Sequence, residues 1–379
     1  MPNPVVSPVA RFLTSAAVLG VALVITMAAG VQLSLPAAAG GPATTATTSV
    51  HPALVGLYGS QTPQYDGVYR QGLSVIALDS SGRTVDPSAI RWLLRQQCDN
   101  GRWTSFRPDL SKRCGAADSN ATAMAVMALR AVGKRAAATQ GLAWLIDHQQ
   151  VGGGWEYSPG WGPDANSTGL VVQSLIAMKV DPATVQNGGS PLDFLASVQL
   201  GCEAKVRQRG ALDYQLESPL VRNDYATAQA TQALAGSKLP VAQKAGSTEL
   251  PTMPCGTTTT TTTTTASTAA QFAAGYLGRR LAASGGTIPS TFGGGADYGS
   301  TANAVLSLVA AGYGSSEVTT AMTQLELGAR GFVLDGSNNV LPAAAALVSI
   351  TENATGGDPT DVDGLNLLRR LTRSITKPA

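Results

Sequence analysis

The sequence predicts an all-α protein built from repeated helix pairs, and three observations support this class. Four segments align on a threonine that a leucine follows seven residues later. An apolar segment with helical spacing precedes each of them. In three of the four copies, a glycine-rich turn ending in an aromatic residue joins the two segments. The repeating unit is therefore a helix, a Gly-aromatic turn and a second helix.

The threonine-aligned segments carry the start and stop signals of helices. Their threonines are Thr122, Thr168, Thr227 and Thr301. An Asp or Asn stands four residues earlier, at the place of a helix N-cap; these residues are Asp118, Asp164, Asn223 and Asp297. Three segments are followed by glycine, which commonly ends a helix: Gly133, Gly236 and Gly312. Because most residues between these signals are small, we expect the helices to pack closely on their neighbours.

The apolar segments that precede them predict the partner helices at residues 89–97, 141–149, 192–199 and 272–281. A weaker copy of the unit lies at residues 65–78, and further helical segments are predicted at residues 341–351 and 361–372. The spacing between threonines grows along the chain, which insertions explain. The total is about six helix pairs.

The N-terminal segment predicts export. An apolar run at residues 12–35 follows a single positive charge at Arg11, and residues 37–39 are the small residues that a signal peptidase accepts. We therefore expect a signal peptide at residues 1–39. The apolar run is longer than a usual signal core, so an uncleaved anchor that crosses the membrane is the alternative. Either form places the protein outside the cytoplasm, secreted or anchored to the membrane.

The remaining chain is expected to form a linker at residues 40–59 and one helical domain at residues 60–379. A threonine-rich insertion at residues 256–268 interrupts the domain. Its unbroken threonine run, residues 257–265, suits neither a helix nor a core strand, so we predict an exposed loop. An O-glycosylated loop and a bare insertion both agree with the sequence.

The four cysteines predict two disulfides. An even number of cysteines in an exported chain, without a CxxC motif, favours disulfides over metal ligands. Proximity in sequence favours Cys98 with Cys114 and Cys202 with Cys255, and the other two pairings stay open.

Charge and histidine content exclude several classes of function. The chain has 26 Lys and Arg against 24 Asp and Glu, so its net charge of +2 gives no support for nucleic-acid binding. Only two histidines are present, His51 and His148, which disfavours most metal sites and His-based catalysis. We therefore expect no metal and no cofactor.

Two copies of the unit resemble a known family. Residues 141–155 read GLAWLIDHQQVGGGW, and residues 92–103 read WLLRQQCDNGRW. Both are similar to the QW-type repeat of the prenyltransferase and squalene cyclase superfamily, and the likeness covers residues 60–372. The resemblance implies an α/α toroid, in which an inner and an outer ring of helices surround a central lumen.

The resemblance also implies motifs that can be checked. Class II cyclases of the superfamily use a DxDD motif whose central Asp is the acid, and the nearest string is DVDG at residues 361–364, near the C-terminus. A cyclase lumen needs aromatic faces for carbocations, whereas the predicted inner helices contain mainly Ala, Thr, Val, Gln and Met. Neither the zinc ligands of the prenyltransferases nor the GCGEQ thioester motif is matched, since residues 201–205 read GCEAK. The closest non-catalytic relatives resemble the helical domain of cobalamin carriers, although the β domain of those carriers has no counterpart here.

Four acids stand at the starts of the inner helices, which a toroid places at one mouth. Asp118, Asp164, Asp224 and Asp297 would there bind a cation or donate protons if their carboxylates were free. Helix capping is the competing interpretation and accounts for an Asp or Asn four residues before each threonine. Asp224 is one residue out of phase, because Asn223 occupies the capping position.

The candidate ligand-binding residues are aromatic and amide side chains. Tyr157 and Trp161 lie in the glycine-rich loop at residues 152–164, where they either stack on a ligand or pack between repeats. Amides predicted on the inner helices suit hydrogen bonds to a ligand or to neighbouring helices; they are Gln173, Gln229, Gln232 and Asn303. No catalytic residue is predicted.

The sequence therefore favours an exported, non-catalytic toroid that binds an apolar or amphipathic small molecule or a protein of the cell envelope. A diverged terpene cyclase or prenyltransferase-like enzyme is the first alternative. A structural or adhesive envelope protein is the second.

Overall fold

Twelve α-helices and one short hairpin form in the residues that the computed structural model describes, 51–256, 265–291 and 293–378. The odd-numbered helices are α1 (Gly67–Ser80), α3 (Ser119–Ala131), α5 (Ala165–Ala177), α7 (Asp224–Leu234), α9 (Tyr298–Ala311) and α11 (Pro342–Thr355). The even-numbered helices are α2 (Pro87–Arg95), α4 (Arg135–Asp147), α6 (Pro191–Ser197), α8 (Ala266–Ala282), α10 (Ser315–Val333) and α12 (Leu367–Arg373). The hairpin pairs β1 (Ile288–Pro289) with β2 (Ala296–Asp297) in antiparallel orientation, directly before α9.

The odd-numbered helices form a closed inner ring. Each packs on the next odd-numbered helix along the chain, and α11 packs on α1. Each even-numbered helix packs on the odd-numbered helix before it, which completes an outer ring. This arrangement is the all-α, α/α toroid of six helix pairs that the sequence predicts.

Each aligned threonine fastens a Gly-aromatic turn to the start of an inner helix. Thr122 Oγ1 accepts a hydrogen bond from the Trp103 backbone N–H at 3.0 Å and donates one to the Asp118 carbonyl at 2.7 Å. In the other three copies the threonine hydroxyl accepts in the same way, at 2.8 to 2.9 Å, from the backbone N–H of Trp155, Leu212 and Ile288. All four threonines are fully buried. The alignment on threonine therefore has a structural cause, since only a hydroxyl donates and accepts at one atom.

Glycine lets the inner helices approach closely. A Cβ atom added at Gly72 of α1 would lie 2.7 Å from Met124 Cγ of α3, and one added at Gly169 of α5 would lie 3.0 Å from Ala230 Cα of α7. Both distances are tighter than a carbon pair tolerates without movement. The small residues of the repeat thus set the width of the ring.

Two elements differ from the sequence prediction. The sequence analysis missed α10, whose N-cap is Gly314 in a left-handed conformation without a side-chain cap bond, so the usual start signal is missing. The predicted helix at residues 361–372 begins later, at Leu367, because the Asn366 side chain caps it by accepting from the Arg369 N–H at 2.8 Å.

The structure contains the disulfides Cys98–Cys114 and Cys202–Cys255, the pairing that proximity in sequence favours. No helix in the described ranges has the length and apolar composition to cross a bilayer. The predicted signal segment at residues 1–39, and most of the threonine run, lie outside those ranges.

Replacing Thr122 with valine tests the threonine anchor. Thr122→Val keeps the shape of the side chain but leaves the buried Trp103 N–H without its acceptor. We expect the free energy of unfolding to fall by about 1–3 kcal/mol, measured by urea denaturation of the oxidised protein. Thr122→Ser retains the hydroxyl and is expected to lose clearly less; a smaller loss in Thr122→Val than in Thr122→Ser would show that the methyl group matters more than the hydrogen bond.

Candidate functional site

Three of the four acids at the mouth of the toroid are helix caps. Asp118 Oδ1 accepts from the Ala121 N–H at 2.8 Å, and Asp164 and Asp297 accept in the same way from the N–H groups three residues later, at 2.7 and 2.9 Å. Their second oxygens are also occupied, by the hydroxyls of Ser105, Ser167 and Ser300. The geometry therefore agrees with capping, the competing interpretation of these residues.

Asp224 points away from the other acids. Its carboxylate accepts from the Tyr276 hydroxyl and pairs with the Arg280 guanidinium at 2.9 Å, both on α8. Asn223 caps α7 in its place. Asp361 and Asp363 of the DVDG string are exposed. The acids considered in the sequence therefore do not assemble into one site.

Burial changes the protonation of two of the caps. It raises the pKa of Asp118 and of Asp164 to about 6 in each case, although the hydrogen bonds that both accept act in the opposite direction. Tyr157 lies beside Asp118, and Tyr214 lies beside Asp164. Each buried cap thus has a tyrosine hydroxyl as a neighbour.

The cap acids also lack the rest of a DxDD motif. Residues 118–121 read DSNA and residues 164–167 read DANS, so Asn120 and Asn166 stand where the motif has its central Asp. Asn166 is 3% exposed, and its amide nitrogen has no hydrogen-bond partner. An amide cannot donate a proton as a carboxylic acid does. These strings lie at the starts of the inner helices α3 and α5, whereas DVDG precedes the outer helix α12, and the sequence analysis did not consider them as DxDD-like.

The candidate amides lie on facing inner helices. Gln173, Gln229 and Gln232 are each at most 5% exposed, and Asn303 is half-buried. Gln232 of α7 donates to Asn303 Oδ1 of α9 at 3.3 Å, so this pair forms a bond between helices. The side-chain oxygens of Gln173, Gln229 and Gln232 are buried and accept no hydrogen bond. We call these three residues the lumen amides.

Contacts across the ring show that Gln229 faces the centre. The Gln229 amide lies beside the hydroxyl of Tyr69 on α1, and α1 and α7 are opposite each other in ring order. Gln232 is three residues after Gln229, on the same helix face. Burial raises the pKa of Tyr69 to about 12 and that of Tyr225, on α7, well above its usual value. Tyr69 and Tyr225 are therefore removed from solvent, and the carboxylates of Asp118, Asp164 and Asp297 are near enough to raise the pKa values of these tyrosines further.

The inner helices carry more aromatic residues than the sequence indicated. Tyr69, Tyr225 and Tyr298 lie in the first turns of α1, α7 and α9, where the sequence analysis expected Ala, Thr, Val, Gln and Met. The sequence signal that could have indicated these tyrosines is their position, one to three residues after the N-cap of an inner helix. Tyr298 packs on Phe332 of α10, with ring centroids 5.9 Å apart, so only Tyr69 and Tyr225 lie near each other and near the amides of the inner helices.

The two candidate residues of the aromatic loop, Tyr157 and Trp161, differ in burial. Tyr157 is half-buried and lines a cleft beside α4, whereas Trp161 is 53% exposed. Their rings meet edge to face with centroids 6.3 Å apart. Trp155, the aromatic residue of the repeat turn, is buried and donates its indole N–H to the Leu145 carbonyl. In the described ranges, no group of three or more His, Cys, Asp or Glu is placed to hold a metal ion.

One buried acid occupies an apolar position of the repeat. Eleven residues after the cap, α3, α5, α7 and α9 have leucine, whereas α11 has Glu352. This side chain is 2% exposed, and its Oε1 accepts no hydrogen bond. Burial, with Glu326 and Asp358 nearby, raises its pKa to about 7. Glu352 is therefore largely protonated below neutral pH.

Comparison with known proteins agrees with the repeat and the fold. A family model, the squalene-hopene cyclase C-terminal domain, matches residues 65–170, which run from before α1 into α5. No curated protein is similar in sequence. A crystal structure of a protein from Actinoplanes is 16% identical over 79% of this chain and 92% of its own, with a TM-score of 0.50. The type II terpene cyclase MstE from Scytonema is 15% identical over 76% of each chain, with a TM-score of 0.48. The family match confirms the resemblance to the prenyltransferase and squalene cyclase superfamily, and the likeness to cobalamin carriers stays a prediction.

Glu352 makes stability depend on pH. Its folded pKa of about 7 exceeds the usual value of about 4.3 for an unfolded chain, so the folded protein holds a proton that the unfolded chain releases. This term lowers the free energy of unfolding as pH rises from about 4 to about 7. Glu352→Leu restores the repeat residue and is expected to add about 1–3 kcal/mol at pH 8 and less at pH 4. Urea denaturation at both values measures this.

Asp361→Asn, which removes an exposed acid, is the control and is expected to change neither value. A gain in Glu352→Leu that is the same at both pH values would contradict the assignment of the titration to Glu352.

Proposed function

We propose that this chain, which carries the repeat of the prenyltransferase and squalene cyclase superfamily, is an exported protein that binds a small amphipathic molecule without transforming it. The lumen of the toroid is the proposed site, and an apolar chain with one or more hydroxyl groups is the proposed ligand class. The observation that carries the proposal is the set of three lumen amides whose oxygens accept no hydrogen bond.

Unpaired buried carbonyl oxygens favour a ligand that donates hydrogen bonds. Leaving a buried acceptor unpaired costs about 1–3 kcal/mol, and the lumen amides present three such oxygens on the adjacent helices α5 and α7. A ligand hydroxyl would satisfy them. A cation is a poorer match, because the acids near the mouth that would balance its charge are engaged by caps or by Arg280.

The rest of the helix faces favours an amphipathic molecule. On α5, Leu170 lies three residues before Gln173, and on α7, Tyr225 lies four residues before Gln229, so each amide shares its face with an apolar or aromatic side chain. Tyrosine rings also provide surfaces on which apolar chains pack. A polar head at the amides with an apolar body beside them follows from this pattern.

The same residues argue against catalysis. A class II cyclase needs a protonated acid aimed at the substrate, and both DxDD-like strings have Asn at the central position. Asp118 and Asp164 have pKa values of about 6, but each uses its oxygens to cap a helix. A diverged cyclase is the alternative, and it would convert a prenyl alcohol into a cyclised product.

Export rests on two observations. The predicted signal segment at residues 1–39 directs the chain out of the cytoplasm, and the two disulfides are consistent with an oxidising compartment. A protein outside the cell or in the envelope meets apolar molecules at low concentration, where a carrier is useful.

Native mass spectrometry of the oxidised full chain with farnesol or geranylgeraniol tests binding. We expect a one-to-one adduct in the wild type and at least about tenfold weaker binding in the double variant Gln173→Leu/Gln229→Leu, since two acceptors are lost (about 1.4 kcal/mol per tenfold). Because the variant also removes unpaired buried oxygens, its free energy of unfolding should equal or exceed that of the wild type. Gln186→Leu, at an exposed glutamine, is the control that should bind like the wild type.

The alternatives predict different results in the same experiment. A cyclised product, detected by gas chromatography at pH 6, would show an enzyme and contradict the non-catalytic proposal. Binding that the double variant retains would place the ligand elsewhere. Absence of binding to both prenyl alcohols and to a total lipid extract would leave an envelope protein as the partner to seek by cross-linking.

A further inference from the structure

A second cleft lies on the outside of the ring, away from the lumen amides. It has a volume of about 330 Å³ and opens between the end of α4, the disulfide loop before α3 and the loop before α5. Its lining includes Arg102, Trp144, His148, Glu156 and Tyr157. This cleft is separate from the lumen, so a ligand in it is independent of the proposed function and goes beyond it.

The indole of Trp144 lacks the partner that its equivalents have. Trp92 occupies the same position of the repeat, eleven residues before the turn tryptophan, and donates its indole N–H to the Ala53 carbonyl at 2.6 Å. The turn tryptophans Trp103 and Trp155 donate to carbonyls at 2.8 and 2.7 Å. Trp144 is 7% exposed, yet its indole N–H has no acceptor. The cleft therefore contains an unpaired donor that is more than nine-tenths buried.

Arg102 brings a second unpaired donor to the same cleft. One guanidinium nitrogen donates to the Gly115 carbonyl at 2.7 Å, while Nη1 is buried and has no acceptor. Among the described residues, Arg102 forms no ion pair. Burial, together with nearby Arg107, lowers its pKa, which is the expected effect of an uncompensated positive charge.

The carboxylate of Glu156 does not accept a hydrogen bond from either of these donors. Its Oε2 accepts from the backbone N–H groups of Gly160 and Gly162 at 2.9 and 3.1 Å, and its Oε1 accepts from Gln150 at 3.4 Å. Glu156 is thus committed to its own loop. The unpaired polar groups of the cleft are hydrogen-bond donors, so a bound ligand would supply the acceptor.

Aromatic rings form the walls beside the donors. Trp144 stacks on His148 with centroids 4.1 Å apart, and Tyr157 lines the cleft from the loop before α5. Stacked rings offer flat apolar surface to a planar ligand. The Cys98–Cys114 disulfide and the bond from the Cys98 N–H to the Arg102 carbonyl at 2.9 Å hold the loop that carries Arg102. The cleft is therefore built on fixed elements, as binding sites generally are.

We propose that this cleft binds a small carboxylate attached to an aromatic or similarly planar ring, with Trp144 Nε1 and Arg102 Nη1 donating to the carboxylate. The ring then lies against Tyr157 and the stacked pair of Trp144 and His148. A carboxylate provides both the acceptor atoms and the negative charge that Arg102 lacks.

Nuclear magnetic resonance of the tryptophan indole N–H groups tests the proposal on the oxidised full chain with benzoate as the probe. The Trp144 signal is assigned by its loss in Trp144→Phe. We expect benzoate to move this signal to lower field in a saturable manner, with the signals of Trp92 and Trp103 unchanged because neither residue lines the cleft and both N–H groups are already bonded. Benzyl alcohol, which has the ring without the charge, should bind at least about tenfold more weakly.

Paired arginine variants separate the cleft from general surface charge. Arg102→Gln is expected to weaken benzoate binding at least about tenfold, whereas Arg113→Gln removes an exposed positive charge from the same loop and should leave it unchanged. An unchanged indole signal of Trp92, which bonds Ala53 away from the cleft, confirms that each variant is folded.

Three results would overturn the proposal. The first is a Trp144 signal that benzoate, up to about 50 mM, does not move. The second is equal weakening by Arg102→Gln and Arg113→Gln, which would reveal only surface charge. The third is equal binding of benzyl alcohol and benzoate, which would show that the carboxylate is not recognised.

Discussion

A buried threonine hydroxyl at the start of the inner helix is the interaction on which the toroid depends. In four of the six helix pairs it accepts from the turn that arrives from the preceding outer helix, while the cap residue holds the same helix end. In the first pair, Gln71 takes over, since its Oε1 accepts from the Tyr58 N–H at 2.9 Å. The turn backbone would otherwise be buried without a partner, at a cost of about 1–3 kcal/mol for each N–H. Four of the six inner helices are therefore joined to the preceding turn by the same local bond.

Features that are local in sequence were predictable. The caps bond N–H groups three residues away, the threonine bonds lie within one repeat, and each disulfide joins cysteines that are neighbours in the order of the chain. Propensity and spacing determine such features directly. The residues of the candidate site were predictable only as types: amides on an inner helix face were visible, but which of their oxygens remain unpaired was not.

Features that depend on a third element were not predictable. Trp92 and Trp144 have the same repeat position, yet Trp92 meets the Ala53 carbonyl of the segment before α1, and the described chain offers no carbonyl to Trp144. The proximity of Tyr69 and Gln229 relates helices that no sequence spacing connects, because ring closure alone places α1 opposite α7. The sequence alone does not distinguish Glu352, because only the place of α11 in the ring shows that the equivalent residue of other inner helices is leucine.

Unpaired polar atoms in this protein have opposite chemistry at the two proposed sites. The lumen amides leave acceptors unpaired and lie near buried tyrosines, whereas the outer cleft leaves donors unpaired, one of them on a cation. A single kind of ligand group cannot form hydrogen bonds with both sets of atoms. A hydroxyl hydrogen suits the amide oxygens, whereas a carboxylate suits the indole and guanidinium N–H groups. Each unpaired buried atom lowers stability, so a toroid that served only as scaffold would do better with leucine at these positions, as the repeat uses elsewhere. Both proposals rest on these retained polar groups, and the separation of acceptors from donors is the reason that they name chemically different ligands for the lumen and the cleft.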